Sequence, residues 1–359
     1  MNPVSVPPPP SSSSAEPHPA DTRGSRVEGG PSALYLEVTN RCNLECRTCI
    51  RTYRTLEPPA DLSLAAVRAI LDQLRTGPER AVLQGIGEPL LNPEIFEIVG
   101  LLRERGARVV FNTNGTLLDA DRRRRLVEEG PDELRVSLDA ATAESFERVR
   151  AAPPRVFEKI LSGVRALARA VRESGRGPLI SLWIIGVREN ERDLVPLVRL
   201  ASEMGIGEVY LHRLVFQEDA TAFGIARRDE SLFAERDARV DALVEEAARV
   251  ARDLGVRFQG SGAAAPAEVF ERRAHLSPRP WSACRRPWTL MYVTANGNVL
   301  PCCIAPFSTG DYPGIVLGNV FREPLAAIWN GERYREFRRA LLTASPPECC
   351  SGCGVKWSL

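Results

Sequence analysis

From Leu34 onward one pattern repeats: a short apolar run, then a stretch whose apolar positions recur every three to four residues. The first run, Leu34-Tyr35-Leu36-Glu37-Val38-Thr39, alternates like a strand. Ser63 can cap a helix with apolar positions Leu64, Val67, Leu71 and Leu74. Residues 81–86 predict a second strand. Asn92-Pro93 then predicts a capped helix start with proline at the first position. Ile95, Ile98, Val99 and Leu102 form its buried stripe, and Gly106 ends it. Strands over 107–111, 134–138, 179–187 and 208–213 continue the rhythm. Helices over 119–129, 142–150 and 155–173, and one carrying Leu194, Leu197, Val198 and Ala201, fall between them. Six such units predict an α/β protein with a parallel sheet. Two further units, which a closed eight-unit barrel needs, are not visible. A long amphipathic helix is predicted over 231–254.

The pattern stops at both ends. Residues 1–30, with Pro7 to Pro10 and Ser11 to Ser14, cannot bury enough apolar surface to fold and read as a disordered tail. The repeating part spans 31–228, a helix and a Gly-, Ala- and Pro-rich linker span 229–280, and a cysteine-rich module spans 281–359. Lys plus Arg is 47 against 46 for Asp plus Glu, a balance that predicts no general affinity for nucleic acid. No signal peptide and no run of about 20 apolar residues is visible, so a cytoplasmic protein with no membrane partner is expected. In that compartment thiols stay reduced, and cysteines read as metal ligands before disulfides.

Nine cysteines form two groups. Cys42, Cys46 and Cys49 stand as C-x3-C-x2-C just after the first strand, at the end where β/α barrels place their chemistry. A closed zinc site takes four ligands. Three thiolates on a four-iron cluster leave one iron open to a substrate or cofactor.

This arrangement resembles the radical S-adenosylmethionine (SAM) enzymes, and the resemblance covers roughly residues 33–359. It implies that the open iron of a [4Fe–4S] cluster chelates SAM. It also implies that an electron from the cluster cleaves SAM to methionine and a 5′-deoxyadenosyl radical, which abstracts a substrate hydrogen. Gly85-Ile86-Gly87-Glu88-Pro89 resembles the family's GGEP-type motif, with Glu88 and backbone near the SAM amino group. Asn114, in Asn112-Thr113-Asn114-Gly115, and Ser137 and Asp139, in Ser137-Leu138-Asp139, resemble positions near the SAM ribose and carboxylate. The bland alternative is turn chemistry, since Asn-Gly alone is a turn signal. Arg150 resembles an arginine that meets the SAM carboxylate in some relatives. One departure is Thr48, which precedes the third cysteine where relatives often carry an aromatic or large apolar residue that packs on adenine.

The last module resembles the family's auxiliary-cluster extension, SPASM or twitch. Cys284, Gly297 and Cys302 match C-x(9–15)-G-x4-C, and Cys350 and Cys353 form a C-x2-C pair. These four thiols suffice for a second [4Fe–4S] cluster; a four-cysteine zinc site is the rival. Ala295-Asn296-Gly297-Asn298 predicts a hairpin between Trp288 and Val299. The fold class expected is therefore a partial (β/α)6 TIM-like barrel with a small cysteine-rich twitch or SPASM module.

Three residues remain as catalytic candidates. His212 ends the sixth strand, while His18 and His275 lie elsewhere. Cys303 and Cys349 each adjoin a proposed ligand; either is a shifted ligand, a buried thiol, or a hydrogen-atom donor to a substrate radical. The resemblance implies oxidation of a small natural-product or sugar-like precursor, with modification of a ribosomally made peptide as the alternative. A reductant such as flavodoxin or ferredoxin is implied as partner. An iron–sulfur electron carrier or sensor is the reading from another class.

Overall fold

All six predicted strands are present in a computed structural model, which describes residues 23–216, 223–234, 237–260, 279–351 and 353. They are β1 (Ala33–Leu36), β2 (Arg80–Leu83), β3 (Arg108–Thr113), β4 (Glu133–Ser137), β5 (Leu179–Gly186) and β6 (Glu208–Arg213). Each pairs in parallel with the next. The expected tail up to residue 22 and the linker stretch 261–278, with His18 and His275, lie outside the described residues.

The sheet extends beyond these six. After the helix Ala238–Asp253, β7 (Arg257–Gly260) adds in parallel to β6. At the other side β8 (Leu290–Val293) pairs in parallel with β1, and β9 (Asn298–Leu300) and β10 (Gly318–Asn319) continue antiparallel. The order is β10-β9-β8-β1-β2-β3-β4-β5-β6-β7, an open sheet with eight parallel strands rather than six. The hairpin is the predicted one: Gly297 adopts φ +81°, which its turn requires. Its first strand joins the barrel's own sheet.

Alternation decides what each face does. Leu34, Leu36, Leu83, Phe111, Val136 and Ile184 are fully buried in the main apolar core, together with Val67, Ile98, Leu102, Ile160 and Val198 from the helices. At about 25 cal/mol per Å², burial of this face supplies most of the driving force. The opposite face carries Tyr35, Arg135, Ser137, Trp183, Tyr210 and His212, so the inside of the curved sheet is polar and aromatic.

Three local expectations change. Asn92 does not start a helix at Pro93; its amide donates to Val38 O at 2.6 Å and Leu62 O at 3.0 Å, and the helix begins at Ile95. The long helix starts at Ala238, capped by Asp237, because Phe223, Ile225, Ala226 and Ala234 are drawn into a second apolar cluster with Ile50, Val149 and Val187. Residues 23–30, assigned from composition to a disordered tail, lie along the C-terminal module. Trp288 Nε1 donates to Gly24 O at 2.8 Å, Arg338 Nη1 to Ser25 O at 3.0 Å, and Val27 exchanges two bonds with the Asn330 amide. Those side chains satisfy backbone groups that the segment cannot pair internally.

Candidate active site

The loop after β1 carries Cys42, Cys46 and Cys49 and ends at the helix Ile50–Tyr53. It is held from several sides: Glu88 N donates to Arg41 O at 2.8 Å, Arg47 N to Val149 O at 3.2 Å, and Ile225 N to Arg47 O at 3.0 Å. Cys46 is buried and the other two thiols are partly so. Burial pushes the Cys49 thiol up to about 12, with Cys46 and Cys42 adding to it, and burial likewise raises Cys42.

Two side chains reach these sulfurs. Asn114 Nδ2 lies 3.7 Å from Cys42 Sγ, and Arg150 Nη1 lies 3.2 Å from Cys46 Sγ. Arg150 also donates to Ser137 O at 2.6 Å and pairs with Asp139 at 3.0 Å. Its Nε is buried without a hydrogen-bond partner among the described residues, which leaves donor capacity beside the thiols. Asp139 sits at φ +61°, a conformation aspartate tolerates, and its second oxygen accepts from Ile185 N at 2.7 Å.

Gly85 and Gly87 permit a close approach. A Cβ on Gly85 would lie 2.2 Å from the Glu37 side chain, and one on Gly87 2.2 Å from Thr39 O. The loop therefore lies flush on the cysteine loop. Glu88, nearly inaccessible, faces the loop after β3: it accepts from Thr113 Oγ1 at 2.7 Å, Asn114 N at 2.6 Å and Leu90 N at 3.1 Å. Pro89 opens the short turn Pro89–Leu91 behind it.

Sequence reasoning missed Glu37 and Asn190. Glu37 is buried and accepts from Ile86 N and Tyr292 Oη, each at 2.9 Å; burial raises it to about 7. It lines a small cleft with Glu57, Tyr292 and Tyr312. A charged residue inside an apolar run was the available signal. Asn190, fully buried, donates to Asp139 O and Ile185 O and so fixes the turn that holds Asp139.

Five of the C-terminal thiols, Cys284, Cys302, Cys349, Cys350 and Cys353, line a second cavity, with Arg286 and apolar walls from Trp281, Pro287, Phe337 and Leu341. Cys349 and Cys350 have their sulfurs 3.9 Å apart. Cys303 is not among the lining residues; burial raises its thiol, and Arg286 and Arg135 are the cations that act on it. Burial pulls the Arg286 guanidinium down, but the thiols of Cys303, Cys284, Cys302 and Cys353 outweigh it and hold it above its ordinary value.

His212 stands on the inner face near Trp183 and Tyr210, which stack at 4.1 Å. Its Nδ1 lies 2.8 Å from Arg213 O, and burial lowers it to about 4, so the ring is neutral at physiological pH.

The fold is an open β/α barrel with three thiols on the loop after its first strand and five more lining a second cavity; among the described residues no group of three or more side chains is gathered closely enough to hold a single metal ion. The family model described as "Radical SAM superfamily" matches residues 36–201, and the one described as SPASM, "Iron-sulfur cluster-binding domain", matches residues 284–354. The AdoMet-dependent heme synthase of Methanosarcina barkeri is 26% identical over 334 residues, covering 92% of this chain and 89% of the relative. The PqqA peptide cyclase of Streptomyces rochei is 29% identical over 310 residues, covering 85% and 77%. Among solved structures, Streptococcus suis SuiB bound to S-adenosylmethionine superposes with a TM-score of 0.64 at 16% identity, covering 92% of this chain and 72% of that one. The chain belongs to the radical SAM superfamily and is an enzyme of its SPASM group. Its cofactors are accordingly SAM, the SAM-binding [4Fe–4S] cluster and auxiliary iron–sulfur in the C-terminal domain. No helix of the described residues is long and apolar enough to cross a membrane.

Proposed function

We propose that Cys42, Cys46 and Cys49 hold the SAM-binding cluster, and that Cys284, Cys302, Cys350 and Cys353 hold the auxiliary one. Asn114, Ser137, Asp139, Arg150 and the loop Gly85–Pro89 form the SAM side of the first site. Arg150, whose Nη1 lies against Cys46 Sγ and whose buried Nε has no hydrogen-bond partner among the described residues, supports this reading. When bound, cluster and SAM supply a hydrogen-abstracting radical. The chain's own part is to orient and enclose. Glu88 holds Asn114 toward Cys42, the Asp139–Arg150 pair holds a cation against Cys46, and Ile50, next to Cys49, packs with Phe223 and Ile225 in an apolar cluster that limits water there.

For the reaction we propose oxidation of an organic substrate on the barrel's polar inner face. The observation that carries it is Arg286, which lines the auxiliary cavity and also acts on Tyr35 and His212 of that face. An electron acceptor placed there borders the substrate chamber. A small natural-product or sugar-like precursor is the first substrate class. A peptide is the second, favoured by the PqqA peptide cyclase relatives and by the SuiB structure bound to the precursor peptide SuiA. His212 contributes a neutral wall. Cys303, outside the cavity, is the thiol available to the substrate side, and Cys349 is a fifth wall of the auxiliary site.

Anaerobic incubation with SAM, a flavodoxin or ferredoxin reductant and candidate substrates tests this. Oxidation gives one 5′-deoxyadenosine per product lighter by two hydrogens, with no solvent deuterium at carbon. A product of unchanged mass carrying solvent deuterium at an inverted carbon overturns oxidation.

A further inference from the structure

Every residue lining the auxiliary cavity is a cysteine, an apolar residue or Arg286. Four thiolates around a four-iron cluster give an anionic unit, more negative still when reduced. Such a charge enclosed by Trp281, Pro287, Pro301, Phe337 and Leu341 is costly without a compensating cation. Arg286 is the single cationic side chain on that wall.

Its own pairing points the same way. Arg135, the other arginine acting on Cys303, has Glu133 at 2.7 Å. Among the described residues no carboxylate pairs with Arg286, so its charge is left for the cavity. The side chain opens the short helix Arg286–Thr289, with Pro287 next in the chain fixing the backbone, two residues after Cys284 and directly before β8. It therefore stands where the cavity meets the inner face of the sheet.

We propose that Arg286 is the counter-charge of the auxiliary cluster and the residue that raises its reduction potential. This rests on the four-thiol reading of that site. A fixed cation beside the cluster stabilises the reduced state more than the oxidised one, so the cluster accepts an electron more readily. Arg286 acts through the cluster and is a positioning residue.

The test uses the full chain with Cys42, Cys46 and Cys49 changed to Ala, so that only auxiliary iron remains. Arg286→Gln and Arg286→Lys are made in this background and reconstituted anaerobically, with exposed Arg322→Gln as a control for net charge. Iron content is measured, and the potential is read from an EPR-monitored redox titration. Arg286→Gln is expected to shift the potential to more negative values, Arg286→Lys to retain most of the parent potential, and Arg322→Gln to leave it unchanged. Loss of iron in the Gln variant with retention in the Lys variant also supports the proposal. A loaded Gln variant at the parent potential overturns it, as does loss of iron in both. Absence of iron–sulfur in the triple-Ala parent overturns the four-thiol reading itself.

Discussion

The hydroxyl of Tyr292 lies 2.9 Å from the carboxylate of Glu37, joining β8 of the cysteine-rich module to the strand that leads into the cysteine loop. Glu37 also accepts from Ile86 N, so one buried group ties together the SAM-side loop, the barrel and the auxiliary hairpin. Burial raises its folded value from 4.5 to about 7. Its contribution is therefore fully present below about pH 4.5, where folded and unfolded chains are both protonated, and is lost as pH rises to about 7. The loss amounts to about 3 kcal/mol. Glu37→Gln keeps acceptors for Ile86 and Tyr292 and cannot titrate. Urea unfolding at several pH values is expected to show the wild type losing stability across this window relative to the variant; parallel curves would remove Glu37 as the cause.

Arg150 and Asp139 form an ion pair with almost no solvent access on either side chain. Removing one partner strands the other. Arg150→Gln is expected to destabilise the metal-free chain by about 3–5 kcal/mol. Asp139→Asn with Arg150→Gln is expected to recover a large part, because asparagine tolerates the positive φ and still accepts from Ile185 N. A double variant no more stable than the single would show that the stranded carboxylate is not the origin of the loss.

What was legible in the sequence was local. The strand Leu34–Leu36 and the helix carrying Ile95, Ile98, Val99 and Leu102 were visible because periodicity lies within a few residues. The Ser63 cap was visible too, accepting from Ala66 N at 3.1 Å. The thiol groups were visible through spacing. What was hidden depended on partners far along the chain. Glu37 and Tyr292 are 255 residues apart, and β8 pairs with β1 across a similar gap. β7 was missed because four residues, Arg257-Phe258-Gln259-Gly260, carry no alternation to read. Asn92 looked like a cap because its competing bonds to Val38 and Leu62 exist only after folding.

Two glycines, Gly87 of the SAM-side loop and Gly100 of the helix that follows it, predict opposite outcomes. Gly87→Ala would drive a Cβ to 2.2 Å from Thr39 O and 2.7 Å from Arg41 O, both backbone atoms of the cysteine loop. Destabilisation of about 1–3 kcal/mol is expected, with loss of iron from the first site. Gly100→Ala, inside the helix Ile95–Glu104 with nothing within 4 Å, is expected to stabilise by about 0.5–1 kcal/mol and keep its iron. Thermal unfolding and iron content of the two variants check this. Full iron in Gly87→Ala would show that the loop contact does not shape the site.

Glu88 offers a choice between two roles that one neighbour can separate. The resemblance implies a carboxylate near the SAM ammonium; the geometry shows it holding Thr113 Oγ1 and Asn114 N, and through Asn114 the region of Cys42. A hydrogen bond to a charged group contributes about 1.5–3 kcal/mol, or about 10- to 100-fold in affinity. Glu88→Ala is expected to weaken SAM binding by that factor under either role. Thr113→Val removes one donor to Glu88 from a buried position, leaving the carboxylate itself in place. If the carboxylate acts by holding the β3 loop, Thr113→Val weakens SAM binding in the same direction but by less, and the effects of the two substitutions are not additive. Equilibrium dialysis with SAM on anaerobically reconstituted protein measures both. Wild-type affinity in Thr113→Val beside a large loss in Glu88→Ala would assign Glu88 to direct contact with the ammonium instead.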